Sequence, residues 1–208
     1  MAQRTAILLH GIFDTGKVFS DLSAQLRKHG FRTLAPDLVP NDGSVSIATL
    51  AAQVKEIIEH EVEASAWLAL IGFSMGGIVA RYYLQELGGY QRVQRLITIS
   101  SPHHGSWLAY AAEGEGIKDL RPDSHLLQRL NTHADRLLPL KPLSLWTPLD
   151  LMIVPAHSAV WQLATNLAFN VIAHPLMLRS EAVHRTVVEA LLESKPEKPS
   201  YEEISTQN

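Results

Sequence analysis

The stretch Gly72-Phe73-Ser74-Met75-Gly76 sets a serine between two glycines, each two residues away, in a G-x-S-x-G pattern. An apolar run, WLALIGF, leads into it, and GGIVARYYLQEL follows with helical periodicity. A strand-to-helix turn this tight exposes the serine hydroxyl on a strained backbone, and glycine at the flanking positions removes side-chain collisions. The helix beginning there directs its free N–H groups and positive end at any oxyanion formed on the serine. The pattern predicts nucleophilic catalysis by Ser74. A glycine-rich helix start that merely turns or holds an anion is the plainer alternative.

A nucleophilic serine needs a base, and the base needs an orienting acid. On a sheet of successive strands these lie in successive loops, in the chain order serine, acid, histidine. Of the ten histidines, His10, His29 and His60 precede the serine. His103 and His104 follow its neighbouring strand too closely, and His125 and His133 lie in a loosely patterned segment. His157 comes just after the acid loop, and His184 falls inside the last helical stretch. His174 follows the last strand-like run and precedes the last helix, where a base belongs. Asp150, after SLWTPL, is the matching acid, with Asp135 in reserve. The backbone N–H of Met75 and that of Ile12, freed to point inward by Gly11, supply two oxyanion donors. His10 reads as a group bonding within its own loop, and Asp37 as a turn residue.

The elements that must position these groups alternate. TAILLH, FRTLAPDLVP, WLALIGF, QRLITISSP, PLSLWTP and NLAFNVIAH read as strands. VFSDLSAQLRKHG, SIATLAAQVKEIIEHEVEA, GGIVARYYLQEL and SEAVHRTVVEALLE carry helical spacing, the last capped by Ser180. This is an α/β chain: a mostly parallel sheet of about six strands, with helices on both faces. A single domain over residues 1–193 is expected, with an insert at about 107–140 and a polar, flexible tail at 194–208.

Composition narrows the function further. Of 208 residues, 46% are apolar and 19% charged, a globular balance, and the net charge of −3 gives no basic field for nucleic acid. Without cysteine there is no disulfide, thiolate nucleophile or cysteine metal site. The His103-His104 pair has no acidic partner at ligand spacing, so neither a metal nor a cofactor is expected. The apolar run near the N-terminus is too short to span a membrane, and a cytoplasmic location follows as an expectation. The oligomeric state is not encoded in any pattern here.

LLHGI, GFSMGG, SSPHHGS, Asp150 with IVP shortly after it, and AHPLMLRSEAV occur in an order that resembles the α/β-hydrolase superfamily, especially small bacterial lipases and esterases. RLITISSPHHGSWLA is also similar to larger lipases and to the glycosylphosphatidylinositol inositol-deacylase-like group. The resemblance covers roughly residues 4–193. It implies Ser74, Asp150 and His174 as a triad, Ile12 and Met75 as oxyanion donors, and hydrolysis of carboxylic esters of lipid-like substrates without a cofactor. Pro175 departs from the family pattern and predicts an extended His174. An acyltransferase or thioesterase would use the same triad, and a non-catalytic binding module could use the same fold.

The insert contains LLQRLNTHADRLLPL, with leucines at helical spacing. A segment of this length without strand signals usually has a role at the site. It is expected to line an acyl groove, with Phe13, Trp107, Leu126 and Leu130 as substrate-binding residues and transient contact with a membrane surface.

Overall fold

The computed structural model describes residues 3–194; the tail expectation beyond them lies outside the described residues. Six strands form one sheet: β1 (Arg4–Leu9), β2 (Arg32–Leu34), β3 (Trp67–Phe73), β4 (Arg95–Ile99), β5 (Leu143–Trp146) and β6 (Thr165–Ala168). Every pairing is parallel, in the order β2-β1-β3-β4-β5-β6. The helices are α1 (Ser20–Lys28), α2 (Ile47–Glu61), α3 (Met75–Glu86), α4 (Glu115–Asp119), α5 (His125–Thr132) and α6 (Glu181–Glu193). Serine hydroxyls cap α2, α5 and α6: Ser46, Ser124 and Ser180 accept from the N–H groups of Thr49, Leu127 and Val183.

Strand periodicity divides the core. Ile7, Leu9, Leu68 and Leu70 face one side, packed with α2, α3 and the insert. Ala6, Leu8, Ala69, Ile71 and Phe73 face the other, with α1 and α6. Residues of both parities are therefore apolar along β1 and β3, as a sheet covered on both faces requires. The strand order reverses direction between β1 and β3. In open parallel sheets a ligand crevice forms outside the strand ends at such a point. Here that point lies between the loop carrying Gly11 and the turn carrying Ser74.

β6 is shorter than the sequence pattern predicts. It is an edge strand exposed except for the part-buried Asn166, and the chain leaves the ladder after Phe169, whose N–H still donates to the Trp146 carbonyl (2.8 Å). The Thr147 hydroxyl then takes the Val171 carbonyl at 2.6 Å. Leu126 and Leu130 are buried in the core together with Ile78, Tyr83 and Leu84. Both belong to the buried face of α5.

The insert is tied to α3 by a buried cation. Arg81 is fully buried. Its guanidinium donates to Gln85 Oε1 (3.2 Å), His103 Nδ1 (3.2 Å) and Asn131 Oδ1 (2.9 Å), and it lies over the Trp161 ring at 4.3 Å. No carboxylate pairs with it among the described residues. His103 stacks on Trp161 and passes the chain on to Thr98 Oγ1 at 3.0 Å. Removing the guanidinium would leave several buried acceptors without donors. Arg81→Ala should therefore lower the unfolding free energy by roughly 2–4 kcal/mol in urea titration, and Arg81→Lys should not restore it, because an ammonium lacks the planar fork. A loss below about 0.5 kcal/mol, the ordinary surface-substitution range, would mean the network is dispensable.

Candidate active site

Ser74 stands between the end of β3 and the start of α3 with φ 53° and ψ −124°, a conformation few non-glycine residues adopt. Its N–H donates to the Ile99 carbonyl at 2.9 Å, which pins the turn to β4. The flanking glycines are required by contact. A methyl on Gly76 would lie 2.1 Å from the Leu9 carbonyl oxygen, and one on Gly72 would lie 2.4 Å from Gly77 Cα. The turn therefore nests directly on the end of β1, and only backbone fits between them.

His174 and Asp150 come from loops beyond the last two strands and meet in a buried pair. Asp150 Oδ2 accepts from His174 Nδ1 at 2.7 Å. Its other oxygen accepts from the N–H groups of Met152 and Ile153, both at 2.9 Å. Burial pushes the Asp150 carboxyl up, but the hydrogen bond and charge of His174 and the two N–H donors outweigh it and hold the pKa below the ordinary value. With the proton on Nδ1, the Nε2 of a neutral imidazole is an acceptor. The ring packs on Phe73, centroids 4.7 Å apart, beside Ser74. Among the described residues neither Ser74 Oγ nor His174 Nε2 has a hydrogen-bond partner. Bonds of this kind commonly tighten only around substrate. Pro175 does not impose the extended conformation on His174. His174 instead opens a 3-10 helix (His174–Arg179), whose first turn is closed by the Leu176 N–H on the Ala173 carbonyl at 3.0 Å.

The loop after β1 is fixed by His10. Its Nε2 accepts from the Leu38 N–H at 2.9 Å, so Nδ1 carries the proton and donates to the Gly11 carbonyl at 2.8 Å. The next turn is strained, with Phe13 at φ 61°, and is held by the Phe13 N–H on the Asn41 carbonyl (2.7 Å). The N–H groups of Ile12 and Met75 are taken up by no other group among the described residues. They remain available as donors at the strand ends where Ser74 sits. Asp37, read as a turn residue, accepts from the Gly16 N–H at 2.7 Å and braces the same loop.

The remaining predicted residues divide. Phe13 and Trp107 are exposed, at 72% and 58%. Leu151 (78%) and Ile172 (76%), which flank Asp150 and His174 in sequence, are exposed as well. Leu126 and Leu130 are in the core. The reserve acid Asp135 is exposed on the insert, and His184 spends its Nε2 on the Leu178 carbonyl (2.7 Å). His103 is buried, and its pKa is driven well down by burial and then by the charge of Arg81, so it is a neutral member of the Arg81 network. Sequence reasoning missed Asp14, whose Oδ2 and the Ser74 Cβ both lie within 3.1 Å of where a methyl on Gly11 would stand. A single aspartate in a polar turn carries no periodic signal that could have found it.

The parallel sheet with this turn after its third strand defines the α/β-hydrolase fold. Solved structures share it: Bacillus licheniformis lipase BlEst2 in mature form (TM-score 0.74, 20% identity, 91% of this chain and 92% of that one), Aspergillus fumigatus lipase B (0.79, 16%, 96% and 55%) and Est1E from Butyrivibrio proteoclasticus (0.69, 15%, 93% and 88%). The model of the palmitoyl protein thioesterase family matches residues 5–111, just over half of the sequence, and the chain belongs to that family. Comparison with curated protein sequences finds no match.

The Asp150 geometry has a direct consequence for pH. A depressed native pKa means that its contribution to stability is complete above the ordinary aspartate range of about 3.9 and is lost as pH falls through the native value. Titration of the Asp150 carboxyl carbon by NMR should give a midpoint below the ordinary aspartate value of about 3.9. A midpoint above it would mean that burial outweighs the His174 bond.

Proposed function

We propose that the chain is a serine hydrolase that cleaves carboxylic esters of apolar acyl groups through a Ser74–His174–Asp150 acyl-enzyme. The observation carrying this reading is the buried 2.7 Å Asp150–His174 hydrogen bond, set at the same sheet edge as a serine on a strained, glycine-walled turn. His174 Nε2 takes the Ser74 proton as Oγ attacks the carbonyl. Asp150 holds the imidazole tautomer and stabilises the imidazolium. The N–H groups of Ile12 and Met75 receive the oxyanion. His174 then protonates the leaving oxygen, and water deacylates Ser74 by the reverse sequence.

The exposed side chains of Phe13, Trp107, Leu151 and Ile172 support an apolar acyl chain, because exposed apolar surface gains by covering itself. The same side chains would favour transient contact with a lipid surface. The family match supports a second reading, in which the acyl group is a palmitoyl-type chain on a thioester. The attack on the carbonyl is the same and the leaving group is a thiol.

A fluorophosphonate probe should label the wild type and not Ser74→Ala. His174→Ala and Asp150→Asn should lower kcat by roughly 10³–10⁴-fold, with His184→Ala and Asp135→Ala mild. Labelling of Ser74→Ala, or an Asp135→Ala loss equal to that of Asp150→Asn in folded protein, would overturn the assignment.

The acyl reading is tested by kcat/KM for p-nitrophenyl esters from acetyl to dodecanoyl. The value should rise by about two- to fourfold per methylene until these side chains are covered, as a buried CH₂ is worth about 0.8 kcal/mol. A profile falling from acetyl onward would leave a small-ester hydrolase. A dodecanoyl thioester cleaved faster than the matched oxygen ester would select the second reading.

A further inference from the structure

Asp14 is a carboxylate for which the fold has no use. Its backbone is tied down: the N–H reaches the Gly11 carbonyl at 3.3 Å, and the carbonyl accepts from Asn41 Nδ2 at 2.6 Å. Its carboxylate oxygens accept no hydrogen bond and pair with no cation among the described residues. The other half-buried or buried aspartates have partners. Asp119 takes the Ile47 N–H at 2.9 Å and Asp150 takes His174. Yet Asp14 is half-buried at the reaction centre. The point where a methyl on Gly11 would stand is 3.1 Å from Asp14 Oδ2 and 3.0 Å from Ser74 Cβ. Burial pushes its carboxyl up, against weaker attraction from His10 and His174.

A partly desolvated carboxylate without a donor costs stability, and such groups concentrate where a ligand supplies the missing partner. Ionised, it can only accept. Unpaired, its charge would also oppose the oxyanion forming on Ser74. A donor brought by the substrate would remove both penalties. His174 must reach the leaving oxygen to protonate it, and the Gly11 contacts set Asp14 Oδ2 close to Ser74, where that oxygen departs.

We propose that Asp14 forms a subsite for a hydrogen-bond donor, a hydroxyl or protonated amine, on the alcohol portion of the ester. This rests on the serine-hydrolase reading and adds to it a class of leaving group.

The test compares kcat/KM for two matched pairs of octanoyl esters with the full chain: 2-hydroxyethyl against propyl, and 2-(dimethylamino)ethyl against 3-methylbutyl. Each ratio, taken within one protein, cancels any general loss of folded enzyme. In Asp14→Asn and Asp14→Ala at least one ratio should fall by about tenfold from its wild-type value, the scale of a hydrogen bond to a charged group. The pair that responds tells a neutral hydroxyl from a cation. Asp21→Asn, the same charge change on the exposed start of α1, should leave both ratios as in the wild type. Ratios unchanged in both Asp14 variants, even with lower rates, would overturn the subsite and leave the hydrolase reading standing. Failure of the wild type to cleave any of the four esters or to react with fluorophosphonate would overturn both.

Discussion

A methyl group on Gly76 would stand 2.1 Å from the carbonyl oxygen of Leu9, and this close approach of two backbones governs the site. It seats the Ser74 turn on the end of β1, so the loop carrying Ile12 and the helix start carrying Met75 meet at one place. The strand order makes that place the switch point of the sheet, because β1 and β3 are the neighbours between which the order reverses direction. A larger residue at position 76 would separate the turn from β1, and with it the two free N–H groups from each other. The Asp150–His174 pair arrives from the far strands and needs only to reach over a turn whose position is already set.

Three of the four buried histidines differ by their partners. His10 lies between a backbone N–H and a backbone carbonyl, which fixes its tautomer and steadies the loop of Ile12. His103 accepts from a guanidinium and can only be neutral, which suits a link in a buried structural chain. His174 donates to a carboxylate and has its second nitrogen open. The same imidazole thus serves as brace, link or candidate base according to what holds Nδ1. That is why the count of histidines says little and their loop positions say much.

The parts of this arrangement that repeat or punctuate were legible in the sequence. The glycines around Ser74 have meaning because few backbone conformations demand them. Alternating strands and helices placed Asp150 and His174 in successive loops. The direction of a buried face was not legible. Leu126 and Leu130 have the spacing of a helix with one apolar side, but that spacing is the same whether the side meets a ligand or Tyr83 and Leu84 of α3. Arg81 was hidden for the opposite reason: a lone charge in an apolar helix is silent until Gln85, His103 and Asn131 close around it. Asp14 needed the loop's fold, since its importance lies in having no partner.

Among the described residues, three of the four non-glycine residues with positive φ gather at one edge; the fourth, Lys141, precedes β5. Phe13, Ser74 and Ser100 have positive φ without being glycine, and they follow β1, β3 and β4, three adjacent strands. The unpartnered hydroxyl of Ser100 and the unpartnered carboxylate of Asp14 lie in the same loops. Each strained residue costs on the order of 1–3 kcal/mol, a burden that a domain stable by only about 5–15 kcal/mol can carry in few places. The core on both faces of β1 and β3 is uninterrupted up to that edge. The strain is therefore held by rigid strands beneath it and does not spread into the sheet. A site built from conformations the chain would not choose alone keeps its shape because the strands below leave it no other.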